Sequence, residues 1–154
     1  MSEPIAKDIM SGNVITINKD ASIEELSGLL LEKKISGVPV VDDNGNMVGI
    51  ATEGDIIVKD TELHFPRYFK LLDGIIYLES FTKFKNNLRK HLAIKVEEIM
   101  TRKVISARIN TEVSEIAEMM VKNGVNRIPI VDEENKPVGI VTRADIVKSF
   151  AKKD

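Results

Sequence analysis

Two short segments of the chain combine residue types that can bind sugars and phosphates. Gly49–Asp55 and Gly139–Asp145 each run from an apolar stretch into a threonine that is followed three residues later by an aspartate. At a helix start, a threonine hydroxyl and free backbone N–H groups can bind a phosphate, and a carboxylate one turn later can accept both hydroxyls of a ribose. The same spacing is typical of a plain helix cap, in which both side chains serve only the backbone. Both interpretations stay open on the sequence alone.

The rest of the sequence offers little for catalysis. Cysteine is absent, which excludes disulfides, cysteine nucleophiles and thiolate metal sites. The two histidines, His64 and His91, are too far apart in the chain for a helical metal pair. Because we find neither a nucleophile paired with a base nor a metal cluster, we predict a protein that is not an enzyme and has no metal site or catalytic cofactor.

The composition is that of a folded and nearly neutral protein. Of 154 residues, 43% are hydrophobic and 30% are charged, and the net charge is −2, which excludes a disordered chain and a general polyanion binder. Met1–Pro4 lacks the basic start of a secretion signal, and apolar runs such as Leu29–Leu31 are far too short to span a membrane. We therefore expect a cytoplasmic protein without membrane contact.

An internal repeat organises the chain. Shifted by 90 residues, residues 9–58 align with residues 99–148 without a gap, and fourteen positions are identical. Many of the other pairs exchange one apolar residue for another, as Val38 does with Ile128. Such agreement far exceeds chance pairing, so the two segments are copies of one structural unit.

Each copy predicts the element order β-α-β-β-α. In the first copy Val14–Ile17 favours a strand, and Ser22 with Glu25 forms a capping box at a helix start. Two apolar runs then flank the polar turn 42–46, which is typical of a hairpin, and a closing helix starts at Thr52. A unit of about fifty residues buries too little surface to be stable alone. We therefore predict an α/β (α+β) fold in which the copies pack around a pseudo-two-fold axis, with clefts where equivalent elements meet.

These features together resemble a known family. The repeat, the Thr-x-x-Asp segments and the motifs Val38–Asp42 and Ile128–Asp132 are similar to a tandem pair of cystathionine-β-synthase (CBS) domains, often called a Bateman module. The openings Asp8–Met10 and Glu98–Met100 also fit that family, and the resemblance covers most of the chain. It implies a regulatory module that binds adenosine compounds, such as AMP, ADP, ATP or S-adenosylmethionine, between the two repeats.

The resemblance also implies a role for individual positions. Aspartates would hold ribose hydroxyls, threonines would contact ribose or phosphate, residues of the first and second strands would frame the adenine, and residues before the second strand would contact phosphate. The aspartates are Asp55 and Asp145, and the threonines are Thr52 and Thr142. The residues that would frame the adenine are Thr16, Ser106, Val38 and Ile128, and those that would contact phosphate are Asn126 and Arg127.

The phosphate position differs between the copies, since Arg127 stands where the first copy has Gly37. A hydrogen bond from a guanidinium to a phosphate contributes about 1.5–3 kcal/mol. We therefore predict that the site built on Asp145 binds nucleotide more tightly than the site built on Asp55. The alternative for the arginine is a surface ion pair with Asp132–Glu133.

The segment between the copies departs from the simple pattern. Residues 60–94 hold six of the seven aromatic residues and both histidines, so we divide the chain into residues 1–59, 60–94 and 95–154. The spacing of the apolar residues predicts one amphipathic helix from Phe65 to Leu72 and a second from Phe81 to Leu92. This region is therefore expected to be mostly helical.

Two functions fit this organisation. The leading hypothesis is a non-catalytic sensor in which an adenosine ligand shifts the arrangement of the repeats or of two subunits, and the resemblance implies a homodimer. The alternative is a nucleic-acid-binding protein that acts through the aromatic and basic residues of 60–94. We favour the first, because those aromatic residues lie on apolar helix faces rather than among the charges.

Overall fold

The computed structural model describes residues 2–60, 68–71, 74–77 and 94–151. The first repeat contains α1 (Ala6–Ile9), β1 (Ile17–Asn18), α2 (Ile23–Lys33), β2 (Gly37–Val41), β3 (Met47–Thr52) and α3 (Glu53–Asp60). The connecting segment contains β4 (Tyr68–Leu71) and β5 (Gly74–Tyr77). The second repeat contains a 3-10 helix (Val96–Glu98), α4 (Val113–Asn123), β6 (Arg127–Val131), β7 (Pro137–Thr142) and α5 (Arg143–Ala151). Among the described residues, no helix has both the length and the apolar character needed to cross a bilayer.

Each repeat is built on an antiparallel hairpin with the same register, β2 with β3 and β6 with β7. In the turn of the first hairpin, Oδ1 of Asp42 accepts two backbone N–H groups at 2.9 and 3.0 Å, and Asp132 does the same in the second at 2.9 Å. Gly45 (φ 83°) and Asn135 (φ 63°) occupy the left-handed conformation that each turn requires. The predicted hairpins are confirmed.

The first strand of each repeat is shorter than the sequence predicts. Only Ile17–Asn18 forms a strand, which pairs in parallel with β2, whereas residues 14–16 lie outside it. In the second repeat the equivalent strand is reduced to a single parallel bridge between Ala107 and Ile130. The order β-α-β-β-α is thus present in full in the first repeat, and in the second repeat its first strand is only this bridge.

The helices α2 and α4 have equal lengths but different caps. Ser22 Oγ accepts the backbone N–H of Glu25 at 3.1 Å, and Oε2 of Glu25 accepts the N–H of Ser22 at 3.2 Å. This is the predicted capping box. In α4 the N-cap Glu112 makes no side-chain bond, and a carboxylate oxygen of Glu3 accepts the N–H of Ser114 at 2.9 Å instead.

Two hydrophobic clusters form the core, one in each repeat, and each receives a segment from the other repeat. Ala6 of α1 packs in the second cluster, with Ile116 and Ile128. Val96 and Met100 pack in the first cluster, beneath α2 and the β2–β3 hairpin. These contacts are reciprocal at an offset of 90 residues and interlock the repeats, and the pseudo-two-fold axis between them stays a prediction.

Two glycines permit this exchange. A Cβ on Gly49 would lie 2.5 Å from Sδ of Met100, and a Cβ on Gly139 would lie 2.5 Å from Sδ of Met10. Antiparallel bridges join the same regions, between Ile50 and Thr101 and between Ser11 and Ile140. The exchanged segment of each repeat therefore runs directly over the second hairpin strand of the other.

The connecting segment contradicts one prediction. Tyr68–Leu71 and Gly74–Tyr77 are antiparallel strands, with Tyr68 opposite Tyr77, so the helix predicted from Phe65 to Leu72 is wrong over residues 68–71. The run contains β-favouring aromatic and branched residues and reaches an Asp-Gly pair, which is a hairpin signal. The second predicted helix, Phe81 to Leu92, lies outside the described residues.

Candidate functional site

Two clefts lie at the seam between the repeats, one beside each predicted threonine. The larger, called here the Thr142 cleft, has a volume of about 620 Å³; its polar lining is Ser11, Asn13, Lys34, Ser36, Glu53, Arg127 and Thr142. The smaller, the Thr52 cleft, has a volume of about 200 Å³; its polar lining is Thr52, Asp55, Thr101, Lys103, Asn126 and Arg127. Both repeats contribute to each cleft.

The two clefts are built from equivalent positions. Thr142 shares its cleft with Ser11 and Ser36 of the first repeat. Thr52 shares its cleft with Thr101 and Asn126 of the second repeat, and each of these three residues lies 90 positions from its counterpart in the other cleft. The segments that open the two repeats, residues 5–13 and 95–103, are called here the opening segments. Their exchange causes this arrangement, because it places the residues after Met10 and Met100 against the hairpin of the other repeat. A threonine of one repeat thus always meets the opening segment of the other.

The threonine and the aspartate of each motif bond to one another. In the first repeat, Oδ2 of Asp55 accepts the backbone N–H of Thr52 at 2.9 Å and its hydroxyl at 3.2 Å. In the second repeat, Oδ2 of Asp145 accepts the same two groups of Thr142 at 2.8 and 3.0 Å. The cap interpretation is therefore observed in both copies. Oδ1 of each carboxylate accepts no hydrogen bond from the described residues, so the cap leaves one oxygen for a ligand hydroxyl.

Arg127 lies between the two clefts and lines both of them. Its Nη2 donates to Oγ of Ser36 in the other repeat at 2.5 Å. Burial lowers the pKa of Arg127 from its ordinary value, and the nearby carboxylates of Glu53 and Asp55 oppose that shift. In the described residues this arginine forms no ion pair with Asp132 or Glu133, which the sequence offered as the alternative.

Gly37 makes room for the arginine. A Cβ at this position would lie 3.1 Å from Cδ and Cζ of Arg127 and 3.0 Å from Cγ2 of Thr52. Both distances are tighter than ordinary van der Waals contact. The glycine that stands in the first repeat at the position equivalent to Arg127 thus leaves close to that arginine a space that a larger residue would narrow.

The structure brings five of the ten predicted site residues to these clefts: Thr52, Asp55, Asn126, Arg127 and Thr142. Asp145 and Thr16 are half-buried and are not among the lining residues. Ser106 lines a separate cavity of about 240 Å³ with Arg108 and Glu115.

Val38 and Ile128 were expected to frame an adenine. Their side chains are 1% and 0% exposed and point into the two core clusters. Neither residue lines the Thr142 cleft or the Thr52 cleft. The apolar walls are formed by other side chains, Ile15 and Ile140 in the Thr142 cleft and Val104 and Ile105 in the Thr52 cleft.

Sequence reasoning missed the polar residues of the opening segments, Ser11, Asn13, Thr101 and Lys103. The signal was present, because Ser11 and Thr101 both carry a hydroxyl directly after the shared Ile-Met pair. A further cleft of about 670 Å³, near Lys7 and Arg108, contains none of the predicted site residues. Among the described residues, no group of His, Asp and Glu side chains could hold a metal ion.

Comparison with known proteins gives consistent matches over nearly the whole chain. The family model described as CBS domain matches residues 6–61 and 96–152. An uncharacterized protein of Methanocaldococcus jannaschii is 34% identical over 155 residues, which cover 95% of this chain and 90% of that protein. Inosine-5'-monophosphate dehydrogenase of the same organism is 32% identical over 143 residues, which cover 93% of this chain and 23% of that enzyme.

Solved structures agree with these matches. The CBS domain pair of protein MJ0100, solved in complex with 5'-methylthioadenosine and S-adenosyl-L-methionine, superposes with a TM-score of 0.72 at 30% identity and covers 99% of this chain and 100% of that one. CBSX2, solved in complex with AMP, superposes with a TM-score of 0.72 at 25% identity and covers 96% of each chain. The matched architecture is the mixed α+β fold described above.

Proposed function

Because the chain belongs to the CBS domain family and carries two copies of the domain, we propose that it is a non-catalytic regulatory module that binds adenosine-containing ligands between its repeats. AMP, ADP, ATP and S-adenosylmethionine are the candidate ligands. Support comes from two similar domain pairs, one solved with AMP and one with S-adenosyl-L-methionine and 5'-methylthioadenosine.

The observation that carries the proposal is the composition of the Thr52 cleft. Thr52 and Asp55 of one repeat lie in the same cleft as Asn126 and Arg127 of the other. A hydroxyl, a carboxylate with one uncommitted oxygen, an amide and a guanidinium are suited to a ribose with an attached phosphate. An apolar wall that includes Val104 offers a surface for a flat base.

The same chemistry supports binding in the Thr142 cleft. Its volume of about 620 Å³ falls within the roughly 300–1,000 Å³ usual for small-molecule sites. The guanidinium of Arg127 reaches Ser36, which lines this cleft. We therefore keep the prediction that the site beside Asp145 binds nucleotide more tightly than the site beside Asp55.

We further propose that the protein is a cytoplasmic homodimer. Its helices carry exposed apolar side chains at equivalent positions: Leu31 (80%) with Val121 (85%), and Ile57 (62%) with Val147 (66%). A contiguous patch of exposed apolar side chains marks an interaction surface, and we propose that these four side chains belong to one such surface between two subunits. The division into residues 1–59, 60–94 and 95–154 belongs to the same proposal, with the middle segment as the connection between repeats.

Nucleic-acid binding through residues 60–94 is not proposed. The basic residues that would carry it, between Lys83 and Lys90, lie outside the described residues. The two domain pairs compared above were solved with adenosine compounds, and no observation favours a nucleic acid.

A thermal-shift screen against AMP, ADP, ATP and S-adenosylmethionine tests the proposal. A ligand at a hundred times its Kd stabilises the folded state by about 2.7 kcal/mol, which raises the Tm visibly. GTP is the matched control, because it carries the same sugar and phosphates with a different base. A protein whose Tm and calorimetric heats respond to none of the adenosine compounds contradicts the proposed function.

A further inference from the structure

We infer that Arg127 couples the two clefts, so that a phosphate bound in either cleft weakens phosphate binding in the other. The inference rests on the proposed function and adds regulation to it. It predicts negative cooperativity for nucleotides and none for uncharged nucleosides.

The first step is the position of the guanidinium. Arg127 begins β6 in the second repeat, yet its side chain donates to Ser36, which precedes β2 in the first repeat. The residue lines both the Thr142 cleft and the Thr52 cleft. A single cationic group is therefore within reach of both ligand sites.

The second step is that this cation has no duplicate. Position 37 is the equivalent of position 127, and it is glycine. Its missing side chain leaves the space in which Arg127 lies, since a Cβ there would approach Cδ and Cζ of the arginine to 3.1 Å. Among the described residues, the repeat therefore supplies two equivalent Thr–Asp caps, but Arg127 is the one arginine that lines the two clefts.

The third step is the charge around the arginine. Glu53 lines the Thr142 cleft and Asp55 lines the Thr52 cleft, so one carboxylate faces Arg127 from each side. Within the described residues neither carboxylate forms a contact ion pair with it, and its hydrogen-bond acceptor is the neutral hydroxyl of Ser36. A phosphate is a stronger acceptor than a hydroxyl for a guanidinium, so a bound nucleotide draws Arg127 toward its own cleft.

The consequence is a linkage between the sites. When one phosphate holds the guanidinium, the other cleft keeps only its own lysine, Lys34 in the Thr142 cleft or Lys103 in the Thr52 cleft, and a second phosphate there is also repelled by the charge of the first. Linkage is reciprocal, so each cleft weakens the other by the same factor. We expect a reduction of about tenfold in affinity, within the usual range for coupled sites. Adenosine carries no phosphate and should bind both clefts independently.

Isothermal titration of the full chain with AMP and with adenosine tests the inference. Asp145 accepts the hydroxyl of Thr142, which lines the Thr142 cleft, so we expect Asp145→Asn to weaken that cleft and leave AMP to fill the Thr52 cleft with its neighbour vacant. We expect this cleft to bind AMP about tenfold more tightly than the weaker site of the unaltered protein does. The same comparison with adenosine should give no change.

Two further variants separate coupling through the arginine from other effects. In an Arg127→Gln background, the Asp145→Asn change should no longer raise AMP affinity in the Thr52 cleft. Arg108→Gln is the matched control, because Arg108 is an exposed arginine of the same repeat that lines neither the Thr142 cleft nor the Thr52 cleft; here the tenfold effect should persist.

The outcomes are distinct. AMP binding at both clefts with affinities that do not depend on each other overturns the inference alone. An equal effect with adenosine, or an effect that survives Arg127→Gln, also overturns it. If neither AMP nor adenosine binds the unaltered protein, the proposed function itself fails, and the inference fails with it.

Discussion

The Thr142 cleft and the Thr52 cleft occupy equivalent places in the two repeats but differ in extent: the first is one cleft of about 620 Å³, whereas the second, of about 200 Å³, adjoins a separate cavity of about 290 Å³ lined by Asn126 and Arg143. Their frames are the same, with a Thr–Asp cap at the end of a hairpin and an exchanged opening segment across it. Their polar groups differ, because Gly37 and Glu53 in one repeat correspond to Arg127 and Arg143 in the other. The repeated core sets where the clefts form, and these few positions decide what each can bind.

This contrast predicts that substitutions at equivalent core positions change the stability of the protein equally in the two repeats, whereas equivalent substitutions in the clefts change ligand binding unequally. Leu26 and Ile116 are equivalent, and both are 0% exposed. Leu26→Ala and Ile116→Ala should each lower the free energy of unfolding by about 2–5 kcal/mol, through lost burial and the cavity left behind. Urea unfolding followed by circular dichroism measures both losses.

The shape of those transitions is as informative as their midpoints. Because Ala6 packs in the second core, and Val96 and Met100 in the first, either variant should unfold in one cooperative step. Two separate transitions, with only one moved by each substitution, would show that the repeats are not interlocked.

The aspartates should respond unequally. Asp145→Asn and Asp55→Asn each remove a charged acceptor for ribose, and within a range of about 1.5–3 kcal/mol of binding free energy we expect the larger loss from Asp145→Asn. We expect Asp145→Asn to abolish the tighter AMP site and Asp55→Asn the weaker one, as resolved by calorimetric titration. Equal losses of affinity would contradict the difference predicted between the clefts. Circular dichroism melts of both variants control for the loss of the helix cap.

Gly49 and Gly139, the glycines beneath the exchanged segments, should both be needed for full stability, but substitution should cost more at one than at the other. A Cβ at Gly49 would lie 2.9 Å from the backbone oxygen of Thr101, whereas at Gly139 the corresponding distance to Ser11 is 3.1 Å. Overpacking costs typically 1–3 kcal/mol, so we expect Gly49→Ala to destabilise by about 1–3 kcal/mol and Gly139→Ala by less. Thermal melts of the two variants compare them directly.

Gly28 provides the control for that pair. It is exposed in the middle of α2, and nothing lies within 4 Å of a Cβ built on it. Gly28→Ala should therefore stabilise the protein by about 0.5–1 kcal/mol, since glycine disfavours a helix interior. A destabilising Gly28→Ala, or neutral changes at both hairpin glycines, would contradict the close packing described above.

Much of the frame follows from local signals in the sequence. The polar turns with Gly45 and Asn135, the capping box at Ser22 and the 90-residue offset each specify structure within a few neighbouring residues. The helix predicted over residues 68–71 is wrong for a local reason as well, because helical spacing and strand propensity compete there and the Asp-Gly pair that follows favours a hairpin.

The clefts were harder to predict because they depend on contacts between distant residues. Nothing near Arg127 in the sequence shows that its side chain crosses to Ser36, 91 positions away. Likewise, Val38 and Ile128 lie in runs that are apolar at every position, so their direction into the core could not be read from periodicity. The repeated hydroxyl at Ser11 and Thr101 is visible in the sequence, but no local pattern shows that the exchange of α1 and the 3-10 helix brings these residues to the clefts of the opposite repeat.

The smallest difference we predict lies in the caps of α2 and α4. Ser22→Ala removes the capping box and should cost about 0.5–2 kcal/mol. At the equivalent position Glu112 makes no cap bond, so Glu112→Ser should stabilise by up to about 1 kcal/mol. Thermal melts of the two variants should thus move in opposite directions. If Glu112→Ser leaves the Tm unchanged, the carboxylate of Glu3 on the N–H of Ser114 is already a sufficient cap. The two repeats would then keep equal helices by different means, one from its own sequence and the other from the exchanged segment.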